Sequence, residues 1–592
     1  MAGGTGCIGK LAGRMQEYTE QKITEMPLRS PFFKKKVCDF LVANGLREDV
    51  LDAYFCILDE DGGILAGAGI HKDIIKCVAV SSEARSGGLV APVVSHILQW
   101  ASERCMHNLK VFTKPENRSV FESLGFHVIA SAQKAILMEN GRGLESYCQY
   151  LASEREEGSG AVIVMNANPF HRGHLFLIQR ASAYAKNVYV IVVKEDVSRF
   201  PYSERLAMVK AGIEGQRLGD CRVKVLEGSS YQISSATFPS YFLKSLDDVA
   251  PTQMELDLDL FSSHIAPALG ASVRVVGSEQ NDPLTAEYNA TMKRLLPESG
   301  MEVKEIQRLM NGPLSKASAA LSGSEVRECL DSDEHFIHAL ELSPVSSYPY
   351  LVADRACWSL VRELDTELKP GLVGPDSNGA HADMDYPLMK RSIQALRPYF
   401  AGLALACWKE EPAPADVLVR MGKDAEAAML AATGGVNTHR GAIYALGLAV
   451  SAFMRGGELA VHEDIMQKRL AGLAASISSN SRSANNLKGA RAMAESGYSE
   501  IFESWLPFYR SSGRSAKKTL LKIMSTLDDT CVIHRVGESR SLSVKKEAEE
   551  MLQSFSEEGL RAMCEGFAKE RISPGGAADM LALTIFIDSI ML

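Results

Sequence analysis

A chain of 592 residues is longer than one hydrophobic core supports, so several domains are expected. With 46% hydrophobic and 23% charged residues it has the composition of a soluble globular protein, and a net charge of -9 gives no basis for bulk nucleic-acid binding. The opening MAGGTGCIGKLAGRMQEY lacks the apolar core of a signal peptide, and apolar runs such as AIYALGLAVSAFM are too short to span a bilayer. A cytoplasmic protein with no membrane or nucleic-acid partner is the expectation. The 12 cysteines form no C-x-x-C pair and no Cys/His cluster at zinc-site spacing, so they read as reduced core residues.

After an N-terminal lead over residues 1–30, a first module spans 31–145. AYFCILD and ILAGAGI flank the turn Glu60-Asp61-Gly62-Gly63, the pattern of a hairpin. IKCVAVSSEARSGGLVAPVVSHILQWASERC then predicts a strand, a glycine turn and a helix, and LKVFTKPENRSVFESLGFHVIA a strand, a short helix and a last strand. This order resembles the α+β fold of GNAT acyltransferases. The resemblance implies that the turn carrying Arg85, Gly87 and Gly88 takes the pyrophosphate of an acyl-CoA. A module that serves only as a docking platform is the other reading.

The second module, 150–335, opens on the apolar run AVIVM, which suits a strand buried on both faces of a parallel sheet. Asn168 and Pro169 break it, and from His174 onward Leu175, Ile178, Ala181 and Ala185 recur at helical spacing. NVYVIVVKED follows as the next strand, completing a βαβ unit. Ligands of such units sit beyond the carboxyl ends of the strands, where helix N-termini present N–H groups to phosphate. His171 and His174, either side of Arg172 and Gly173, are placed for that role, although loop and cap histidines are the plainer reading. Their spacing resembles the signature of the HxGH nucleotidyltransferases, an α/β Rossmann-like superfamily whose members attack the α-phosphate of ATP. FPYSERLAMVKAGI, with Ser203 and Arg205, and LSGSEVRECL, with Ser322, Ser324 and Arg327, add hydroxyls and cations at helix starts. Ser-Gly-Ser-Glu is also an ordinary N-cap.

NANPFHRGH, FPYSER, SSATFPSYFLK, IAPALG and SGSEVRECL together resemble citrate lyase ligase over residues of about 30–335. The resemblance implies that ATP and acetate give acetyl-AMP and pyrophosphate, and that the acetyl group passes to the thiol prosthetic group on the citrate lyase acyl carrier subunit. In that reaction His171 and His174 would donate to phosphate oxygens and Arg327 would hold the outgoing pyrophosphate. Asn168, Gly173, Ser203, Arg205, Ser322 and Ser324 would line the ATP site, with Mg²⁺ bridging phosphate oxygens. Many family members carry Thr where His171 stands.

An acidic, then Ser- and Pro-rich segment reads as a linker over 336–349, and from 350 to 592 the periodicity is helical throughout, predicting an all-α domain. Its polar residues gather in three breaks between helices. KPGLVGPDSNGAHADMDYPLMKRS carries His381, Asp383 and Asp385. TGGVNTHRGAIYALG carries Asn437, Thr438, His439 and Arg440, and ERISPGGAADMLA carries Ser573, Gly575 and Gly576. Alternating aspartates suit a hard cation, so Asp383 and Asp385 are metal candidates, with helix capping as the competing reading. The glycine turns before helices suit a polyphosphate.

In this order the three breaks resemble triphosphoribosyl-dephospho-CoA synthase. The family's reaction is implied: the 2′-hydroxyl of 3′-dephospho-CoA displaces adenine from C1′ of ATP. It needs stabilisation of oxocarbenium character, an acid for the purine and a base for the hydroxyl. Asp383 and Asp385 are candidates for the first, and His381 or His439 for proton transfer, with acid and base not separately assigned. Members commonly carry Asp-Arg where Gly374-Pro375 stands, and Gly-Glu where Ala492-Met493 stands. The expectation is a bifunctional enzyme of citrate lyase maturation. The alternative is a nucleotidyltransferase for another acceptor, joined to a non-catalytic binding scaffold.

Overall fold

Apolar runs with strand periodicity form twelve strands among the described residues, in two sheets. The computed structural model describes residues 22–591 apart from 196, 217, 234–236, 244, 280–281, 311–319, 410 and 481–487, and omits the side chains of 85–87, 480 and 488–491. The chain divides into two compact units. One holds the residues up to Asn168, Gly173–Leu206 and Ile213–Ala320; the other holds Pro169–Arg172, Ala207–Gly212 and the chain from Leu321 onward.

In the first unit, β1 (Ile23–Glu25), β2 (Ala53–Leu58), β3 (Ile64–His71), β4 (Ile74–Val80), β5 (Lys110–Thr113), β6 (His127–Ser131) and β7 (Ile136–Glu139) lie in the order β1-β2-β3-β4-β5-β7-β6. The predicted hairpin is β2–β3, antiparallel. Two strands depart from expectation. β1 falls in the supposed lead and pairs with β2, and the four-residue β7 inserts between β5 and β6, antiparallel to both. Both are too short for alternation to announce them, and their partners in the sheet supply the stabilisation. After α1 (Pro31–Ala43), helix α2 (Val90–Ser102) buries Val93, Val94, Ile97 and Ala101 in a core shared with Phe55, Ala66, Ala68 and Ile70. The result is an α+β layer.

The second sheet is wholly parallel. Its strands β8 (Gly160–Met165), β9 (Asn187–Val192), β10 (Arg222–Glu227), β11 (Ala271–Gly277) and β12 (Glu302–Ile306) run in the order β10-β9-β8-β11-β12. The chain winds outward from β8 to β10, then returns to β11 on the other side. That reversal makes the carboxyl ends of β8 and β11 the place where a crevice opens. Following α3 (Gly143–Ser153), helix α4 (Arg172–Ala181) leaves the β8 end, and α5 (Tyr202–Ile213), α6 (Val249–Leu260) and α7 (Pro283–Leu295) complete the layer.

The two modules expected as separate domains share one core. Leu144 and Leu151 of α3 join Tyr54, Phe112, Val162 and Phe238 in it, with Phe112 and Phe238 edge-to-face at 5.5 Å. Polar contacts reinforce the join. Lys110 Nζ donates to Ser230 Oγ at 2.7 Å, and Tyr231 Oη donates to Glu139 Oε2 at 2.6 Å.

The second unit is helical, as expected, but begins earlier than residue 350. Helix α8 (Gly323–Asp331) and helix α9 (Phe336–Glu341) belong to it, so the stretch read as a linker is part of the fold. Phe336, Ala339 and Leu340 are buried, and Arg355 Nη1 donates to Ser332 O at 2.9 Å while its guanidinium stacks 3.6 Å over Trp358. The acidic and Ser/Pro-rich surroundings masked this short apolar helix.

Longer helices follow: α10 (Tyr348–Leu364), α11 (Tyr386–Cys407), α12 (Ala415–Ala432), α13 (Arg440–Met454), α14 (Glu463–Asn480) and α15 (Ala516–Thr526). α16 (Thr530–Gln553) is interrupted at Gly537, whose φ is +83°, and α17 (Glu557–Glu570) precedes α18 (Gly575–Ile590). From Met580 to Ile590 every residue of α18 is buried, as a helix apolar on all sides must be. It packs against α10, α13 and α15. Phe586, with no exposed surface, is central to that packing. Phe586→Ala is expected to cost about 3–5 kcal/mol through the cavity it leaves, seen in calorimetry as earlier melting of the helical unit.

Candidate functional site

In the first unit the buried Arg205 ties together the loops beyond β8 and β9. Arg205 has 0% exposure. Its Nη1 donates to Asn166 O at 2.6 Å, Asn166 Oδ1 at 2.6 Å and Val193 O at 2.9 Å, its Nη2 to Glu195 O at 2.7 Å, and its Nε to Phe200 O at 3.1 Å. This corrects the expectation that Arg205 touches ATP, because an enclosed guanidinium bonded to protein oxygens shapes the loops instead. Asn168 has a similar task, its Oδ1 accepting from Phe200 N at 3.2 Å. Ser203 lies at the start of α5.

His174 lies in the first turn of α4, beside Gly173. Burial and the neighbouring Arg308 push its imidazole down to about 3, so it is neutral at ordinary pH. Arg308 follows β12, its backbone N donating to Ser278 Oγ at 3.2 Å and its guanidinium paired with Glu279. Sequence reasoning missed this cation. The available signal was its place just past a strand end, on the side of the sheet where ligands bind.

His171 and Arg327 belong to the second unit. His171 is 5% exposed, in a segment where Phe170 O accepts from Ser347 Oγ at 2.8 Å and Arg172 N donates to Leu342 O at 3.0 Å. Ser322 is the N-cap of α8, accepting from Glu325 N at 3.2 Å, and Arg327 Nη2 donates to Ser324 Oγ at 2.9 Å. In the turn expected to meet acyl-CoA, the side chain of Arg85 lies outside the described residues, and Gly87 ends a short 3-10 turn. Gly88 adopts a φ of +66°, a left-handed turn conformation that glycine takes without strain.

The helical unit brings its three breaks together. His381 Nε2 and Ser573 Oγ are 2.8 Å apart, joining the first break to the third. His439, at the start of α13, has Nδ1 2.8 Å from Ser392 Oγ, which is itself 2.6 Å from Thr438 Oγ1, joining the helix after the first break to the second. Arg440 is paired with Glu426 at 3.1 Å, and Asn437 precedes Thr438 in the same turn. Gly576 serves packing: a Cβ there would lie 3.0 Å from the carboxyl of Asp529, which accepts from Ala577 N at 2.9 Å and Cys531 N at 2.8 Å. Gly575 adjoins it at the first turn of α18.

The metal expectation fares differently. Asp385 caps α11, its Oδ1 accepting from Leu388 N at 2.7 Å, which is the competing reading made good. Asp383 is exposed, 3.8 Å from His381 Nδ1. Among the described residues no three His, Cys, Asp or Glu side chains converge as a metal cage.

Four ionisable groups were missed. Lys369 and Glu363 are both buried and pair at 2.5 Å. Asp529 is buried, and Asp579, partly exposed, lies against the first turn of α13. Burial raises Glu363 against the pull of Lys369 and raises Asp529, while burial and then the charges of Glu363 and Asp529 hold Asp579 well above the carboxylate range. An acid inside an apolar helix, as in AADMLALTIFI, was the signal for Asp579. Gly374 N donates to Ser377 O at 2.8 Å, closing the turn that holds Gly374-Pro375, and Ala492-Met493 supplies no carboxylate.

Burial lowers His381, aided by Arg535, and pushes His439 down to about 4, aided by Lys369. The unfolded chain takes up a proton at each lowered histidine below about pH 6.5 and the folded chain does not, so stability is lost as pH falls from there. His439→Gln should therefore flatten the pH dependence of the helical unit's unfolding midpoint in acid, measured by urea titration at several pH values.

The family models also divide the chain in two, at about residue 350, later in the sequence than the boundary of the compact units. The family model for the citrate lyase ligase C-terminal domain matches residues 160–351, and that for ATP:dephospho-CoA triphosphoribosyl transferase matches residues 349–592. Citrate (pro-3S)-lyase ligase of Haemophilus influenzae is 34% identical over 316 residues, covering 53% of this chain and 93% of its own. The ligase of Klebsiella pneumoniae is 39% identical over 285 residues, 47% of this chain and 81% of its own. From the same organism, 2-(5″-triphosphoribosyl)-3′-dephosphocoenzyme-A synthase is 38% identical over 266 residues, 40% of this chain and 94% of its own. Among solved structures, pantothenate synthetase from Thermus thermophilus covers 36% of this chain and 73% of its own at 16% identity and a TM-score of 0.22, too weak a likeness to carry an argument. With both kinds of relative covered over most of their length, the chain belongs to the citrate lyase ligase family in its first part and to the triphosphoribosyl-dephospho-CoA synthase family from residue 349 onward.

Proposed function

We propose that this is a bifunctional enzyme of citrate lyase maturation: it makes the precursor of the lyase's prosthetic group and acetylates the finished thiol. The observation that carries this reading is the fusion itself. Two families whose relatives are separate proteins in one organism occur here in a single chain, each nearly complete.

In the ligase half, an acetate oxygen attacks the α-phosphorus of ATP and pyrophosphate leaves. Positioning and charge neutralisation are what the protein must supply. His174, neutral, donates an N–H to an α-phosphate oxygen, and Arg308 beside it brings positive charge to the same strand ends. His171 serves the phosphates as the second histidine, and Arg327, with Ser322 and Ser324, holds the outgoing pyrophosphate. Gly173 lets the phosphate approach the backbone at the start of α4. The acetyl group then passes to the carrier thiol.

In the synthase half, the triphosphate of ATP lies over the N-termini of α13 and α18, near Asn437, Thr438, Arg440, Ser573, Gly575 and Gly576. The 2′-hydroxyl of 3′-dephospho-CoA displaces adenine at C1′. His381 and His439 are the candidate proton carriers, and burial leaves His439 a weak base. Mg²⁺ would be held chiefly by the nucleotide's phosphates with Asp383 as the available carboxylate, Asp385 being occupied as a cap.

The test is a product assay on the full chain. ATP, Mg²⁺ and 3′-dephospho-CoA should yield free adenine and the triphosphoribosyl adduct by mass spectrometry, and pyrophosphate release in a separate assay should depend on acetate. His174→Ala should lower the acetate-dependent rate by about 10²–10³-fold with little change in KM for ATP, leaving adenine release intact. Bound ATP without adenine release would instead support an inert scaffold, the reading that Ala492-Met493 keeps open.

A further inference from the structure

We propose that Asp579 is the catalytic acid of the helical half, the group that protonates the departing purine. The assignment rests on the synthase reading above. It separates the acid from the base, which the sequence left joined.

Three carboxyls act on one another here: Glu363 of α10, Asp529 at the start of α16 and Asp579 of α18. Two have what an ionised carboxylate needs. Glu363 has the Lys369 ammonium at 2.5 Å. Asp529 accepts from Cys531 N at 2.8 Å, Val532 N at 3.4 Å and Ala577 N at 2.9 Å. Asp579 has one backbone donor, from Ala442, and faces the other two charges. When like charges crowd, the carboxyl that has neither a cation nor several donors beside it keeps its proton. Its raised affinity for that proton agrees with this placement.

Packing favours the same group. A Cβ at Gly441 would sit 2.0 Å from Asp579 Oδ2, so the glycine in THRGAIY is what admits the carboxyl to the first turn of α13. At the entrance to that turn, His439 Nε2 is buried with no hydrogen-bond partner. Other groups sensing Asp579 are Tyr498 and Cys531, both held protonated by burial.

In the step, the 2′-oxygen of 3′-dephospho-CoA forms a bond to C1′ and its proton goes to a neutral imidazole or to water. The C1′–N9 bond breaks with its electron pair moving to the purine, and the Asp579 proton goes to purine N7. Neutral adenine and an Asp579 carboxylate result.

Asp579→Asn keeps the shape and removes the transferable proton. With ATP it should lose adenine release by about 10²–10⁴-fold. An ATP methylated at N7 needs no proton there, because its base leaves as a neutral molecule, and D579N should turn it over within about tenfold of the unaltered chain. Gly441→Ala, which pushes the carboxyl aside, should reproduce the selective loss with ATP. Acetate-dependent pyrophosphate release should be unchanged in both variants and reports an intact chain. Equal loss with both nucleotides, or no loss with ATP, overturns the assignment. Failure of the unaltered chain to release adenine overturns the synthase reading and this acid with it, an outcome distinct from a defect confined to D579N.

Discussion

A guanidinium with no exposed surface is a liability unless its N–H groups are satisfied, and Arg205 meets that demand by drawing in oxygens from Asn166, Val193, Glu195 and Phe200. The loops beyond β8 and β9 acquire a defined shape as a consequence. The start of α4, with Gly173 and His174, inherits its position from those loops. In the second unit the buried pair Lys369–Glu363 obeys the same requirement. Removing one partner of the Lys369–Glu363 pair would leave a buried charge uncompensated, which costs far more than the net worth of the pair.

The two halves solve opposite electrostatic problems. Adenylyl transfer concentrates negative charge on phosphate oxygens, and the first half offers a neutral imidazole beside an arginine at the ends of parallel strands. Displacement at an anomeric carbon builds positive charge on the sugar and needs a proton for the leaving base. The helical half gathers the carboxyls of Glu363, Asp529 and Asp579, with Lys369 paired to the first of them. A single chain also ties production of the two activities together, and each stays within tether range of the other without any requirement for a channel.

Much of the fold was readable from local pattern. The βαβ run AVIVM to NVYVIVVKED, the β2–β3 hairpin and the all-helical end appear where periodicity put them. The errors have a common cause. β1, β7 and α9 are short elements stabilised by neighbours distant in sequence, and the same holds for the shared core of the first two modules and for the membership of residues 336–349 in the helical unit. Composition at 336–349 pointed to a linker because only the buried faces of Phe336, Ala339 and Leu340 contradict it.

Residue types at short spacing carried the chemistry by themselves: two histidines about a glycine after a buried strand, and glycine-bearing breaks before helices, because a loop that meets phosphate is local in sequence. Family membership followed from such motifs. Use of each side chain did not. Arg205 turned out to be a clamp and Asp385 a cap, while Glu363, Lys369, Asp529 and Asp579 were assembled from two helices and two breaks far apart in the chain. Charge state depends on which groups lie within a few ångströms and how much water is excluded, and only the tertiary structure decides both.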